Sequence, residues 1–255
     1  MHQYLNFGNG IVIPMYNLMI GIGAIIGFLI LESEIKKIQI EFQTDKNIYY
    51  SIIISSICGL VGAKFFEVVY KQFDFSFENF YSSGLTFYGG LIFGICSFFL
   101  INKIFKTNNT IAFNLVIPSL ILAHGFGRIG CFFAGCCYGK PTNSILGVCF
   151  PEGSLPARHF SELINLHPVQ LYESFFLFLL FFIIIKFVSF EFRIIIYFIA
   201  YSIFRFFIEL LRADYRGIFL TDFFSPSQII SIFIFILGVL LMFNILFKKR
   251  FKLEI

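Results

Sequence analysis

Residues 124–142 read HGFGRIGCFFAGCCYGKPT, and this stretch decides what kind of protein the chain encodes. It continues an apolar run of bilayer length, 111 to 135, yet carries an arginine ringed by Gly125, Gly127 and Gly130. A guanidinium among Ile, Leu and Phe is costly unless it faces a cavity or a partner, and intramembrane charges of this kind mark substrate or ion sites. Arg128 is therefore the first candidate functional residue. Backbone without Cβ atoms on either side lets a headgroup or another helix come close. His124 stands one turn before Arg128, where a histidine more often packs and hydrogen-bonds than acts as a base.

The rest of the chain is consistent with a membrane setting. Hydrophobic residues make up 58% of the 255, charged residues 13%, and the mean hydropathy is +0.86, far from the composition of soluble domains. Forty phenylalanines beside no tryptophan reflect compositional bias and carry no function. Seven apolar runs are long enough to cross a hydrocarbon core as helices, near 11 to 31, 48 to 70, 85 to 105, 111 to 135, 170 to 189, 192 to 211 and 226 to 247. None alternates as a barrel strand would. The fold expected is all-α, a single integral membrane domain over 1–255, with the first run kept as a mature helix because it lacks a basic n-region.

Lys and Arg are unevenly shared between alternate connections. The loops before helix 2, between 3 and 4 and between 5 and 6, with the C-terminal tail, hold eleven; the opposite connections hold five, and Lys64, Arg128 and Arg205 lie within helices. The positive-inside rule then places the N-terminus outside and the C-terminus in the cytoplasm. On that topology Tyr16, Lys64, Tyr88, Arg128 and Arg205 share one depth in the outer half of the bilayer. The longest connection, 136–169, lies on the same side and is expected to form a small extracytoplasmic head.

Arg205, Glu209 and Arg212 are spaced four and three apart and so share a helix face. Glu209 can neutralise one arginine and leave the other for an anion; an internal ion-pair network is the alternative. Tyr16 and Tyr88 alone read as interfacial aromatics, and Gly89, Gly90 and Gly94 as a close helix crossing. Cys131, Cys136, Cys137 and Cys149 cluster around the outer end of the fourth run. Disulfides or metal binding are open to them, but C-x4-C-C lacks the usual C-x2-C spacing, and no metal is expected.

Taken in order, several motifs resemble the prolipoprotein diacylglyceryl transferase family. GFGRIGCFFAGCCYG is similar to its signature GR-x-GN-F-x-N-x-E-x-x-G, which includes Gly139. Tyr16 to Met19 resembles its YGLMY, Gly62-Ala63-Lys64 its GAR, Gly84 to Gly94 its glycine-rich third helix, HPVQLYE at His167 to Glu173 its HPSQLYE, and Arg205 to Asp214 its R-F-x-x-E-x-x-R-x-x-D. The resemblance implies a bacterial inner-membrane enzyme that moves the diacylglyceryl group of phosphatidylglycerol to the lipobox cysteine thiol of a prolipoprotein, releasing glycerol phosphate. The partners implied are phosphatidylglycerol, the lipobox of the signal peptide and the bilayer; no nucleic acid and no cofactor are expected.

Carried over by position, Arg128 binds the lipid phosphate and Arg205 binds it or stabilises the leaving group, with Tyr16 and Tyr88 as further catalytic candidates. Lys64, His124, Gly139, Glu209 and Arg212 complete the expected binding set. Among the departures from the family pattern, Tyr88 replaces its histidine, Cys131 its asparagine, and Cys136 its acidic residue. Two other functions compete: a paralogue that binds phosphatidylglycerol without transferring it, and an anion or lipid transporter. The transporter predicts an internal repeat, which the sequence does not show.

Overall fold

The computed structural model describes residues 4–6, 12–38, 42–71, 87–214 and 223–253, and most of them are α-helical. A bilayer offers the backbone no hydrogen bonds, so long apolar runs close their own as helices even where β-branched Ile abounds. The principal helices are α1 (Met15–Ile38), α2 (Phe42–Lys71), α3 (Phe87–Ile104), α4 (Asn109–Ala134), a short α5 (Leu155–Phe160), α6 (Val169–Phe187), α7 (Arg193–Ile208) and α8 (Pro226–Leu253). Two antiparallel strand pairs accompany them: β1 (Tyr4–Asn6) with β2 (Val12–Pro14), and β3 (Val148–Cys149) with β4 (Asn165–Leu166).

Among the described residues, six helical stretches are long and apolar enough to cross a membrane: Met15–Ile38, Lys46–Val69, Asn109–Ala134, Val169–Phe187, Phe190–Leu211 and Pro226–Lys248. The third expected run is helical, but its apolar described part is only Gly89–Ile104. At 1.5 Å per residue that is about 24 Å, short of a core of about 30 Å. The first helix also begins later than expected, since residues 12–14 pair with 4–6 instead.

The chain divides into two compact units, Glu34–Phe113 and the remainder. In Glu34–Phe113, α2 and α3 cross on glycines. A Cβ on Gly59 would lie 3.2 Å from the Gly90 carbonyl oxygen, and one on Gly62 would meet the Phe93 side chain and lie 2.9 Å from the Gly89 oxygen. This is small-residue packing, in which backbone contact replaces a hydrophobic drive that lipid does not supply. Asn102 fastens the crossing: Ser51 donates to its Oδ1 at 3.1 Å, and its Nδ2 donates to the Phe98 carbonyl at 2.8 Å. Both side chains are fully buried.

In the larger unit, Ile117 and Ile121 of α4, Leu177, Leu180 and Ile184 of α6 and Tyr197 of α7 form one buried cluster. Gly23 and Gly27 bring α1 onto Ala123 and Ser119 of α4. Asn114 accepts the Ile194 amide at 2.9 Å, satisfying an orphan donor at the start of α7. Helix α8 starts with a capping box: Ser225 Oγ accepts the Gln228 amide at 3.3 Å while Gln228 Oε1 accepts the Ser225 amide at 3.0 Å, with Pro226 between. Residues 136–169 carry their own small core of Tyr138, Phe150 and Leu166, against which Phe132, Phe160, Ile164 and Ala213 pack.

Candidate functional site

Arg128 of α4 meets Glu173 of α6. Its Nη2 lies 2.9 Å from Glu173 Oε1, and the carboxylate is 1% exposed. The Tyr201 hydroxyl of α7 donates to the same oxygen at 2.7 Å, and the Tyr201 ring stands edge-on to His124 with centroids 5.1 Å apart. Tyr197 stacks on Tyr201 one turn away. His124 Nε2 is 3.8 Å from Glu173 Oε1, too far for a hydrogen bond. Glu173 thus joins three helices, and Arg205 acts on it electrostatically as well as Arg128. Arg128 keeps one buried donor, Nε, for which the described residues offer no acceptor.

Arg205, Glu209 and Arg212 form a second charged group where α7 tightens into a 3₁₀ turn over Glu209–Leu211. Arg205 Nη2 lies 2.6 Å from Glu209 Oε2, an ionic contact without hydrogen-bond geometry, and donates to Ser227 Oγ at 3.0 Å. Ser225, the α8 cap, donates to Glu209 Oε1 at 3.0 Å, so the carboxylate also sits at the positive end of a helix. The expectation that one arginine stays free needs correction: Arg212 holds Asp214 bidentately, at 2.9 and 2.7 Å. Burial opposes charge on Arg212, but those bonds outweigh it and hold the guanidinium above its ordinary pKa. Arg205, 7% exposed at its side chain, retains one donor, Nη1, without an acceptor among the described residues.

Gly139 sits where three chain segments meet. Its amide donates to the His167 carbonyl at 3.1 Å, Lys140 donates to the Leu211 carbonyl at 2.7 Å, and Ala213 donates to the Tyr138 carbonyl at 3.2 Å. A Cβ on Gly139 would lie 2.5 Å from the His167 oxygen and 2.9 Å from the Leu211 oxygen. The geometry assigns Gly139 a backbone role that fixes the residues leading into Arg212. Gly139→Ala is expected to destabilise the protein by about 1–3 kcal/mol, the cost of overpacking a tight site. A thermal-unfolding midpoint in detergent unchanged from wild type would refute this.

Tyr16 packs against Gly130, whose added Cβ would lie 3.2 Å from its ring, and its side chain is 39% exposed. Cys131, Cys136 and Cys137 have all three sulfurs within 4.8 Å of one another. The spacing argument against such a cluster did not anticipate the turn that ends α4. His167 Nδ1 is 3.3 Å from the Tyr172 hydroxyl, and Gln170 donates to the Cys136 carbonyl at 2.7 Å.

Of the expected residues, Arg128, Arg205, His124, Glu209, Arg212, Gly139 and Tyr16 belong to the larger unit and Lys64 to the smaller. The side chain of Tyr88, and Gly84 of the same motif, lie outside the described residues. Sequence reasoning overlooked Glu173 as a site residue, although it stood in the quoted HPVQLYE. The signal was present: a carboxylate inside a bilayer-length apolar run demands a partner for the same reason Arg128 does.

A family model described as prolipoprotein diacylglyceryl transferase matches residues 4–244. A Clostridium tetani protein named phosphatidylglycerol–prolipoprotein diacylglyceryl transferase is 34% identical over 250 residues, 94% of this chain and 96% of its own. A Clostridium perfringens protein of the same name, numbered 2, is 37% identical over 91% of both chains. A Rickettsia bellii protein with that name is 30% identical over 91% of this chain and 90% of its own.

Proposed function

Since the chain belongs to the prolipoprotein diacylglyceryl transferase family, we propose that Arg128 and Arg205 grip the phosphate of phosphatidylglycerol while its diacylglyceryl group passes to a prolipoprotein. The enzyme is a transferase of lipoprotein biosynthesis, and its acceptor is the thiol of the lipobox cysteine. The observation that carries the residue assignment is the pair of buried donors without acceptors, Arg128 Nε and Arg205 Nη1. Buried polar groups are seldom left unpaired, and an arriving phosphate supplies the oxygens both lack.

When sulfur displaces phosphate from the glyceryl carbon, the departing group gains negative charge. Fixed cations therefore bind the transition state more tightly than the ground state. Guanidinium groups suit this because they stay protonated and present several donors in one plane. The three arginines of the site stand beside three carboxylates, Glu173, Glu209 and Asp214. Their pairing lets the guanidiniums be held within apolar helices before substrate arrives. Glu173 and Tyr201 position Arg128; Glu209, Ser227 and the α8 cap position Arg205. Tyr16, exposed beside Gly130, orients the lipid headgroup. His124 supports Tyr201, and Arg212 braces Glu209.

The same reading takes α3 as a seventh span, sets the N-terminus outside and the C-terminus in the cytoplasm, and makes 136–169 the extracytoplasmic head. The test is direct. Purified protein incubated with phosphatidylglycerol and a lipobox peptide is expected to add one diacylglyceryl group to the peptide cysteine, read by mass spectrometry. Lipid binding without that mass gain would instead establish a silent paralogue.

A further inference from the structure

Cys131, Cys136 and Cys137 take no part in gripping phosphate, yet the chain folds to bring them together. Helix α4 ends in a Schellman turn: Gly135 has φ +69°, its amide donates to the Phe132 carbonyl at 3.0 Å, and the Cys136 amide donates to the Cys131 carbonyl at 3.2 Å. The turn seats residue 136 over residue 131, where an apolar contact usually closes the motif. Here both positions are cysteine. Cys137 then adopts φ +62°, a left-handed conformation that a side chain occupies only at a cost, and its sulfur joins the other two. Gln170, itself 1% exposed, holds the Cys136 carbonyl in place.

We propose that Cys131, Cys136 and Cys137 bind one Zn²⁺ ion as thiolates, and that the fourth tetrahedral position takes the thiol of the acceptor cysteine. Zinc–sulfur bonds of about 2.3 Å place tetrahedral sulfurs about 3.8 Å apart, within the spread of this cluster. Among the described residues no His, Asp or Glu joins the trio, so these residues supply three ligands, the number of a site that works on a substrate. Three thiolates leave the divalent ion with one net negative charge. A disulfide would use two of the sulfurs and strand the third.

The fourth-ligand step rests on the transferase reading above. The three protein thiols release three protons as they bind zinc, and the acceptor thiol releases a fourth, because a coordinated thiol is deprotonated outright. The zinc-held sulfur attacks the glyceryl carbon, a carbon–sulfur bond forms, and the carbon–oxygen pair leaves with the phosphate. The neutral thioether is a poor ligand and departs. Nothing is oxidised or reduced, and no strong base is required in a chain with tyrosine at position 88.

Reduced full-length protein in detergent, titrated with Co²⁺ as the probe for Zn²⁺, is expected to bind one ion per chain with sulfur-to-cobalt charge-transfer absorption. Cys131→Ser, Cys136→Ser and Cys137→Ser should each lose that absorption, and Cys149→Ser should keep it. A lipobox peptide should shift the spectrum, whereas the same peptide with serine for cysteine should not. Chelation should slow transfer at least tenfold, with recovery on adding Zn²⁺. Absence of the absorption in wild type, its survival in the three variants, or a disulfide among these cysteines in the native protein would overturn the site. Cobalt bound with a spectrum blind to the peptide, or full transfer after chelation, would overturn the fourth-ligand step. Zinc-loaded protein that binds the peptide thiol but never transfers would leave the metal site standing and sink the transferase reading.

Discussion

Replacing Arg128 with alanine is expected to cut diacylglyceryl transfer about a thousandfold and to destabilise the protein in the same stroke. Loss of one preorganised donor to a developing oxyanion commonly costs about 10²–10³ in rate, and here a full cation goes with it. The stability loss has a separate origin. Glu173 is 1% exposed, and removing its partner leaves a buried charge uncompensated, worth about 3–5 kcal/mol. The two effects separate in the double variant Arg128→Ala/Glu173→Gln. Glutamine keeps an oxygen for the Tyr201 hydroxyl but carries no charge, so thermal stability should largely return while transfer stays absent. Recovery of transfer in the double variant would show that Arg128 serves only to neutralise Glu173. His124→Ala should cost tenfold or less, since His124 lies beyond hydrogen-bond reach of the carboxylate. Near-wild-type rates in both single variants would reverse this ordering.

The second large effect is expected from Arg205→Lys, a substitution that conserves charge. Arg205 divides its donors among Glu209, Ser227 and the unfilled Nη1 position. An ammonium can replace the ionic contact to Glu209, but it cannot span Ser227 and a phosphate oxygen together, because its donors radiate from one atom. Transfer should fall about a hundredfold, with an unfolding midpoint within a few degrees of wild type because the ion pair survives. A fall in stability matching that of Arg205→Ala, with transfer per folded molecule unchanged, would count Arg205 as structural.

Much of this was legible beforehand, for reasons that differ by residue. Span positions follow from apolar length alone, and Arg128 and Arg205 stand out because lipid makes their burial costly. Partner identity was harder to read. Glu173 and Arg128 are 45 positions apart in the chain, and no periodicity links a carboxylate on α6 to a guanidinium on α4. Arg205 and Glu209 meet one turn apart, as i, i+4 spacing expects, but Arg212 is already in extended backbone and Asp214 lies beyond it, where helical spacing no longer applies. The cysteines stand near one another in the sequence, but the meeting of three sulfurs depends on a left-handed turn that ligand-spacing rules do not describe. The close approach of the His167 and Leu211 backbones to Gly139 is likewise invisible in a sequence that brings them from distant positions.

That main-chain junction also limits how residues 136–169 can move. The insertion at 136–169 is stitched at both of its ends: residues 138–142 bond to 165–167 on one side and to 211–213 on the other. To swing clear as a whole, it would have to part every one of those rungs and drag the Arg212 segment with it. Any breathing is therefore left to the stretches between those rungs and the β3–β4 pair, where Ile145 is fully exposed and Leu146, Leu155 and Leu163 are more than half exposed.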